Sequence, residues 1–165
     1  MARLAILFLL FLGLASPAQA RIKTFTHFSA DLPDGWDGEE NAGFTKEKGN
    51  EYMLVFKRHD DTGENIKGVV SVFLLPPLHD SPAEIAGKLA RMQENSTTPY
   101  QSGNFWTFSG EPRTQGFKAP AVTRVNATPR HVLIIIVQDP EQLGGDTIFA
   151  GLRSLTPEGR EVLGR

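Results

Sequence analysis

The side chains able to carry chemistry are few and scattered. Four histidines stand at His27, His59, His79 and His131. No two are spaced i, i+2 or i, i+4, so no single element presents a local pair of metal ligands. His59-Asp60-Asp61 is the densest group of ligand-type residues. It opens a polar stretch running to Asn65 that reads as a hairpin tip, and it lacks the D-x-D-x-D-G spacing of a calcium loop. Nucleophiles fare no better. No G-x-S-x-G elbow occurs; Ser71 lies inside an apolar run, and Ser102-Gly103 and Ser109-Gly110 are turn-like. A Ser-His-Asp set would have to be assembled in space from separate loops. The adjacent acids Glu39-Glu40 and Asp60-Asp61 read as hydrated surface. Gly144-Gly145 is the lone glycine pair, and no phosphate-binding loop follows a strand. The chain has no cysteine, which rules out thiol catalysis, Cys-ligated zinc, iron–sulfur clusters and c-type haem attachment. The expectation is no catalytic residue, no metal site and no cofactor.

The aromatic residues are the remaining candidates for a ligand or partner surface: Trp36, Phe105, Trp106 and Phe108. On a strand, Phe105 and Thr107 face one way while Trp106 and Phe108 face the other, and one face should be core. Core packing is the leading reading for each tryptophan, with Trp36 over the end of the first strand; if a surface is functional, the place to look is near Trp36, Trp106 and the loops beside them.

Turn residues divide the chain into the elements that must position these groups. Phe25 to Leu32 is a first strand, with Phe28, Ala30 and Leu32 on one face, and Pro33-Asp34-Gly35-Trp36 turns it. Ala42 to Lys46 is a short strand candidate, followed by a Gly49-Asn50 turn. Tyr52 to Lys57 and Gly68 to Leu75 flank the polar hairpin loop. Ser81 as N-cap, Pro82 at the first helical position and Glu84 three residues after the cap predict a helix running to about Glu94, its apolar stripe made by Ile85, Leu89 and Met92. Asn104 to Gly110 and Pro120 to Asn126 are further strands. His131 to Gln138 (HVLIIIVQ) is the most β-branched run and predicts a central strand buried on both faces. Asp139-Pro140 with Gln142 opens a last helix, weakened at Gly144-Gly145 and restarted at Asp146, with Ile148, Phe149 and Leu152 as its apolar stripe. The charged tail from Glu158 is expected to be loose. Hairpin-length turns make the sheet mostly antiparallel, and both helices must bury their stripes on it: an α+β fold, a mostly antiparallel sheet flanked by helices.

The chain also carries the three parts of an export signal. Arg3 supplies a positive n-region, Leu4 to Leu14 an apolar h-region, and Ala18-Gln19-Ala20 an A-x-A cleavage site. The apolar run is much shorter than the ~20 residues that span a bilayer. The reading is therefore a cleavable signal peptide over residues 1–20, one α+β domain over 21–157 and a loose tail over 158–165. After cleavage near Ala20, a periplasmic or secreted location without membrane insertion is expected. The net charge of −2 and the lack of any long basic run give no electrostatic reason to bind nucleic acid or anionic lipid.

Three features make the chain resemble the PsbP-like superfamily, which also holds the Mog-type GTPase-binding proteins. Phe28-Ser29-Ala30-Asp31-Leu32-Pro33-Asp34-Gly35-Trp36 is similar to the family's strand followed by Pro-x-Gly-Trp. A mid-chain helix separates two antiparallel sets of strands. Phe149-Ala150-Gly151-Leu152-Arg153-Ser154-Leu155 is similar to the family's closing Phe-x-x-Ile/Leu-x-Ser-Leu. The closest likeness is to small bacterial exported proteins of the PsbP-like and DcrB-like type. The resemblance implies an α/β/α sandwich and no catalytic residues, its members serving mainly as binding, accessory or assembly proteins. The leading expectation is a non-enzymatic exported binding or accessory protein whose target is a protein partner, such as an envelope protein, or another envelope component. A small exported hydrolase with a loop-built site, and a structural subunit of an envelope assembly, are the alternatives.

Overall fold

The computed structural model describes residues 21–40, 51–112 and 117–164. The export signal, the strand candidate Ala42 to Lys46 and the Gly49-Asn50 turn lie outside the described residues.

The most β-branched run builds the centre of the molecule. Strand β10 (Val132–Gln138) lies between β5 (Ile66–Leu75) and β9 (Ala121–Ala127), antiparallel to both. Its side chains alternate into two separate cores. Leu133, Ile135 and Val137 enter one, and Val132 and Ile134 enter the other. Outward from β5 come β4 (Tyr52–His59) and β3 (Trp36–Glu40); outward from β9 come β8 (Phe105–Pro112) and then β6 (Gln93–Glu94), with β7 (Tyr100–Ser102) also against β8. Every pairing in this sheet is antiparallel. A second small sheet contains β1 (Arg21–Thr24), β2 (Phe28–Leu32) and β11 (Arg153–Ser154).

One face of the large sheet is covered by helix α1 (Pro82–Arg91). Ser81 caps it as expected: Ser81 Oγ accepts from the Glu84 N–H, and Glu84 Oε2 accepts from the Ser81 N–H at 2.8 Å. Ile85, Ala86 and Ala90 pack on Phe108, Val125, Val132 and Ile134. The helix stops at Arg91, short of the expected Glu94, because Gln93 and Glu94 pair with Pro112 and Glu111 as β6. The small sheet, helix α2 (Gly145–Gly151) and helix α3 (Pro157–Leu163) bury Phe28, Ile148, Leu152, Val162 and Leu163 on the opposite face. The molecule is thus an α+β sandwich with a mostly antiparallel sheet, as the sequence predicts.

Four local expectations are corrected. The first strand begins at Phe28 rather than Phe25, because the Phe25 N–H donates to the Phe28 carbonyl at 2.8 Å and closes a turn; the Phe28, Ala30, Leu32 alternation stands. Trp36 is the first residue of β3, entered through Gly35 at φ 78°. The last part of the Asp139 segment becomes helical only at Gly145. Gly144 holds φ 116°, and Asp139 spans the loop instead, its carboxylate accepting from the N–H groups of Leu143, Gly144 and Gly145. Finally, the segment from Glu158 is not a loose tail. Thr156 caps α3, Pro157 starts it, and Val162 and Leu163 are 0% and 2% exposed. The domain therefore extends through α3.

Candidate functional site

Alternation into two cores leaves few places where polar side chains can converge, and the ends of the strands are the main ones. At one end, the β4–β5 hairpin satisfies itself. Asp60 accepts from the Thr62 hydroxyl, the Asn65 amide and the N–H groups of Glu64 and Asn65. These bonds hold its carboxyl well below the usual range, with Asn65 the largest contributor. His59 and Asp61 are exposed beside this loop. Among the described residues no three His, Asp or Glu side chains form a group able to hold a metal ion.

The opposite end of the sheet carries an open cleft of about 490 Å³. Its floor comes from the start of β4, the end of β5 and the turn before β10. Glu51 and Tyr52 stand on the first, Leu74, Pro76 and Pro77 on the second, Arg130 and His131 on the third. His27 from the turn before β2 and Glu158 from the first turn of α3 complete the rim. Five segments remote in sequence meet here, and β-register brings them together: Tyr52 lies opposite Leu74, and Leu74 opposite Leu133.

Most of the cleft's polar groups also hold the scaffold. His27 Nδ1 lies 3.0 Å from Thr156 Oγ1, the cap of α3, and its ring meets the Tyr52 ring edge-on at 4.7 Å. The Tyr52 hydroxyl donates to Glu40 Oε1 at 2.7 Å. Burial, then this bond to a carboxylate, push the phenol well above its usual range. Glu40 is driven the other way. Burial works to raise it, but donation from the Thr26 N–H, the Tyr52 hydroxyl and the Thr26 hydroxyl outweighs that and lowers it. Glu158 is lowered by its own backbone N–H and the Thr156 hydroxyl, with smaller help from His27 and His131 nearby. Arg130 is tied to Glu161 through Nη2 at 2.9 Å. His131 differs: its Nδ1 is buried without a hydrogen-bond partner, 3.6 Å from Glu161 Oε2.

The four aromatic candidates do not form one surface. Trp36 begins the edge strand β3, is 3% exposed and donates from Nε1 to the Leu143 carbonyl at 2.9 Å. Phe105, on β8 across the sheet, enters the core under α2 and meets Phe149 edge-on at 5.8 Å. Phe108 is fully buried beneath α1, and Trp106 is half-buried on that same face. Three of the four present no surface to a partner, because both faces of the sheet are covered. Of the histidines, His27 and His131 reach the cleft, while His59 and His79 are exposed elsewhere. His131 could be singled out from sequence as a polar residue beside the central strand. The meeting of Glu51, Arg130 and Glu158 could not, since no local spacing links them.

No protein-family model matches the chain, and no curated protein matches it. Among solved structures, it is similar to the solution structure of cyanobacterial PsbP (CyanoP) from Synechocystis, at 11% identity, with a TM-score of 0.49, over 86% of this chain and 96% of that one. A crystal structure from Bacteroides thetaiotaomicron is similar at 11% identity, with a TM-score of 0.48, over 84% of this chain and half of that one.

Proposed function

We propose that this chain is an exported, non-catalytic binding or accessory protein of the cell envelope, and that it engages its partner in the cleft at the Pro76-Pro77 end of the sheet. The observation that supports this reading is the engagement of the cleft's polar groups. His27, Tyr52 and Arg130 each make a bond that fixes an adjoining segment. Groups held this way form a preorganised rim, which suits recognition more than proton transfer. The leader over residues 1–20 supports export.

Fractionation of a bacterium expressing the full chain tests the location. A product beginning at Arg21 in the periplasm or medium is expected, and an uncleaved cytoplasmic product would refute export. A photo-crosslinking residue at Pro77 tests the site, with one at His59, at the other end of β4, as control. One discrete adduct at Pro77 alone is expected; equal labelling at both positions, or at neither, would refute the assignment.

A second reading, a small exported hydrolase, draws on His131, a residue of the cleft whose buried Nδ1 makes no hydrogen bond. Turnover of simple ester or peptide substrates that is abolished by His131→Ala would establish it in place of the first.

A further inference from the structure

The cleft is polarised across its width. Glu51 stands at the β4 side, Arg130 and His131 at the β10 side, and the apolar Leu74, Pro76 and Pro77 lie between them on β5 and its exit. No hydrogen bond or ion pair occupies the Glu51 carboxylate among the described residues. Arg130 bonds Glu161 through Nε and Nη2, which leaves Nη1 for a ligand. Beside it, the Nδ1 of His131 is closed off from solvent, 3.6 Å from Glu161 Oε2. Glu158, on α3 and near both histidines, adds a second carboxylate to the rim.

The spacing of these groups selects among ligands. Strands β4 and β10 flank β5, and neighbouring strands lie about 4.8 Å apart, so the acidic and basic walls are roughly 10 Å apart. An extended peptide spans about 3.3–3.6 Å per residue, so three residues reach roughly that distance. The volume, about 490 Å³, lies within the ~300–1,000 Å³ typical of small-molecule sites. A simple amine would leave Arg130 Nη1 unmet, and a simple carboxylate would leave Glu51 unmet.

We infer that the cleft binds a short free peptide of about three residues as its zwitterion. The terminal ammonium is taken by Glu51. The terminal carboxylate is taken by Arg130 Nη1. The middle of the peptide lies on Leu74, Pro76 and Pro77. This rests on the reading of the cleft as a binding site and names the ligand class that site would hold.

The test is calorimetric titration of the purified protein with trialanine, N-acetyl-trialanine, trialanine amide and putrescine. Trialanine is expected to bind, with each blocked form at least ten-fold weaker and putrescine weaker still. In Glu51→Gln the penalty for acetylation should vanish, while the penalty for amidation stays. Arg130→Gln should show the converse. Both side chains are at least partly exposed, and a thermal melt within a few degrees of the parent shows that the variants are folded. Equal binding of the free and blocked peptides, putrescine binding as well as trialanine, or no binding of trialanine at millimolar concentration would each overturn the inference. Release of free alanine during the titration would overturn the non-catalytic reading of the cleft while leaving peptide recognition intact. A Pro77 crosslink to an envelope protein, without trialanine binding, would leave that reading intact and overturn the peptide ligand.

Discussion

Replacing Asp139 by alanine should loosen the passage from β10 into α2 and release Trp36 with it. The carboxylate accepts three backbone N–H groups, from Leu143 at 2.8 Å, Gly144 at 3.0 Å and Gly145 at 2.7 Å, in a part-buried setting. Hydrogen bonds to a charged group contribute about 1.5–3 kcal/mol each. Three that share one acceptor are not additive, and the freed N–H groups gain partial access to water, so a net loss of about 3 kcal/mol is expected. For a domain of this size that lowers Tm by roughly 6–12 °C. Asp139→Asn keeps one acceptor oxygen and should lose about half as much. Leu143 also offers its carbonyl to Trp36 Nε1 at 2.9 Å, so the same loop holds the indole. In a Trp106→Phe background, Trp36 emission should shift to the red in Asp139→Ala before global unfolding, while chemical denaturation gives the stability. Ala and Asn variants both within about 0.5 kcal/mol of the parent, the usual range for unremarkable surface changes, would refute the role. So would a destabilised Ala variant with unchanged Trp36 emission.

Three further outcomes follow from the packing and charge. Leu163→Ala removes a side chain that is 2% exposed in the main core and should cost about 2–4 kcal/mol in urea denaturation; an unchanged midpoint would mean that α3 is not docked. Thr107 is 5% exposed with Oγ1 unbonded among the described residues, so Thr107→Val should raise stability by about 1 kcal/mol. A loss of that size would mean that its hydroxyl and the facing Arg124 Nη1, also unbonded, share a bound water. Glu40 is lowered from its ordinary 4.5 in the folded state, so its contribution is full above that pH and is lost as pH falls through the folded value. Thermal melts between pH 7 and 3 should show a shallower acid decline in Glu40→Gln than in the parent, and parallel declines would refute the contribution.

The sheet was legible because its signals are local. HVLIIIVQ alternates into two cores, and Ser81-Pro82 with Glu84 builds its cap within four residues. Helix α3 carries the same kind of signal, Thr156 followed by Pro157. It reads as a loose tail because Glu158, Arg160 and Glu161 surround only two apolar residues that become buried, Val162 and Leu163. A helix of two turns needs no wider stripe when it plugs one corner of a core already formed by others. The helical reading of Asp139-Pro140 failed for the opposite reason. A sound cap signal served a loop, because Gly144 at φ 116° delays the helix to Gly145.

The same logic explains why the aromatic residues are taken up by the cores and why the cleft stays invisible in the sequence. A sheet covered on one face needs large apolar side chains at every second position; covered on both, it needs them at nearly all positions. Phe105 and Phe108 are therefore consumed by opposite cores, and an aromatic cluster in sequence becomes two unrelated contacts in space. Polar groups are displaced to the strand ends, where backbone and water can satisfy them. One end resolves locally, with Asp60 bonding within its own hairpin. The other is assembled from His27, Glu51, Pro76, Arg130 and Glu158, whose proximity depends on the order β4-β5-β10 and on the docking of α3. Trp36 shows the contrast most directly. Its indole N–H is given to Leu143, and its work is to hold the loop that Asp139 closes.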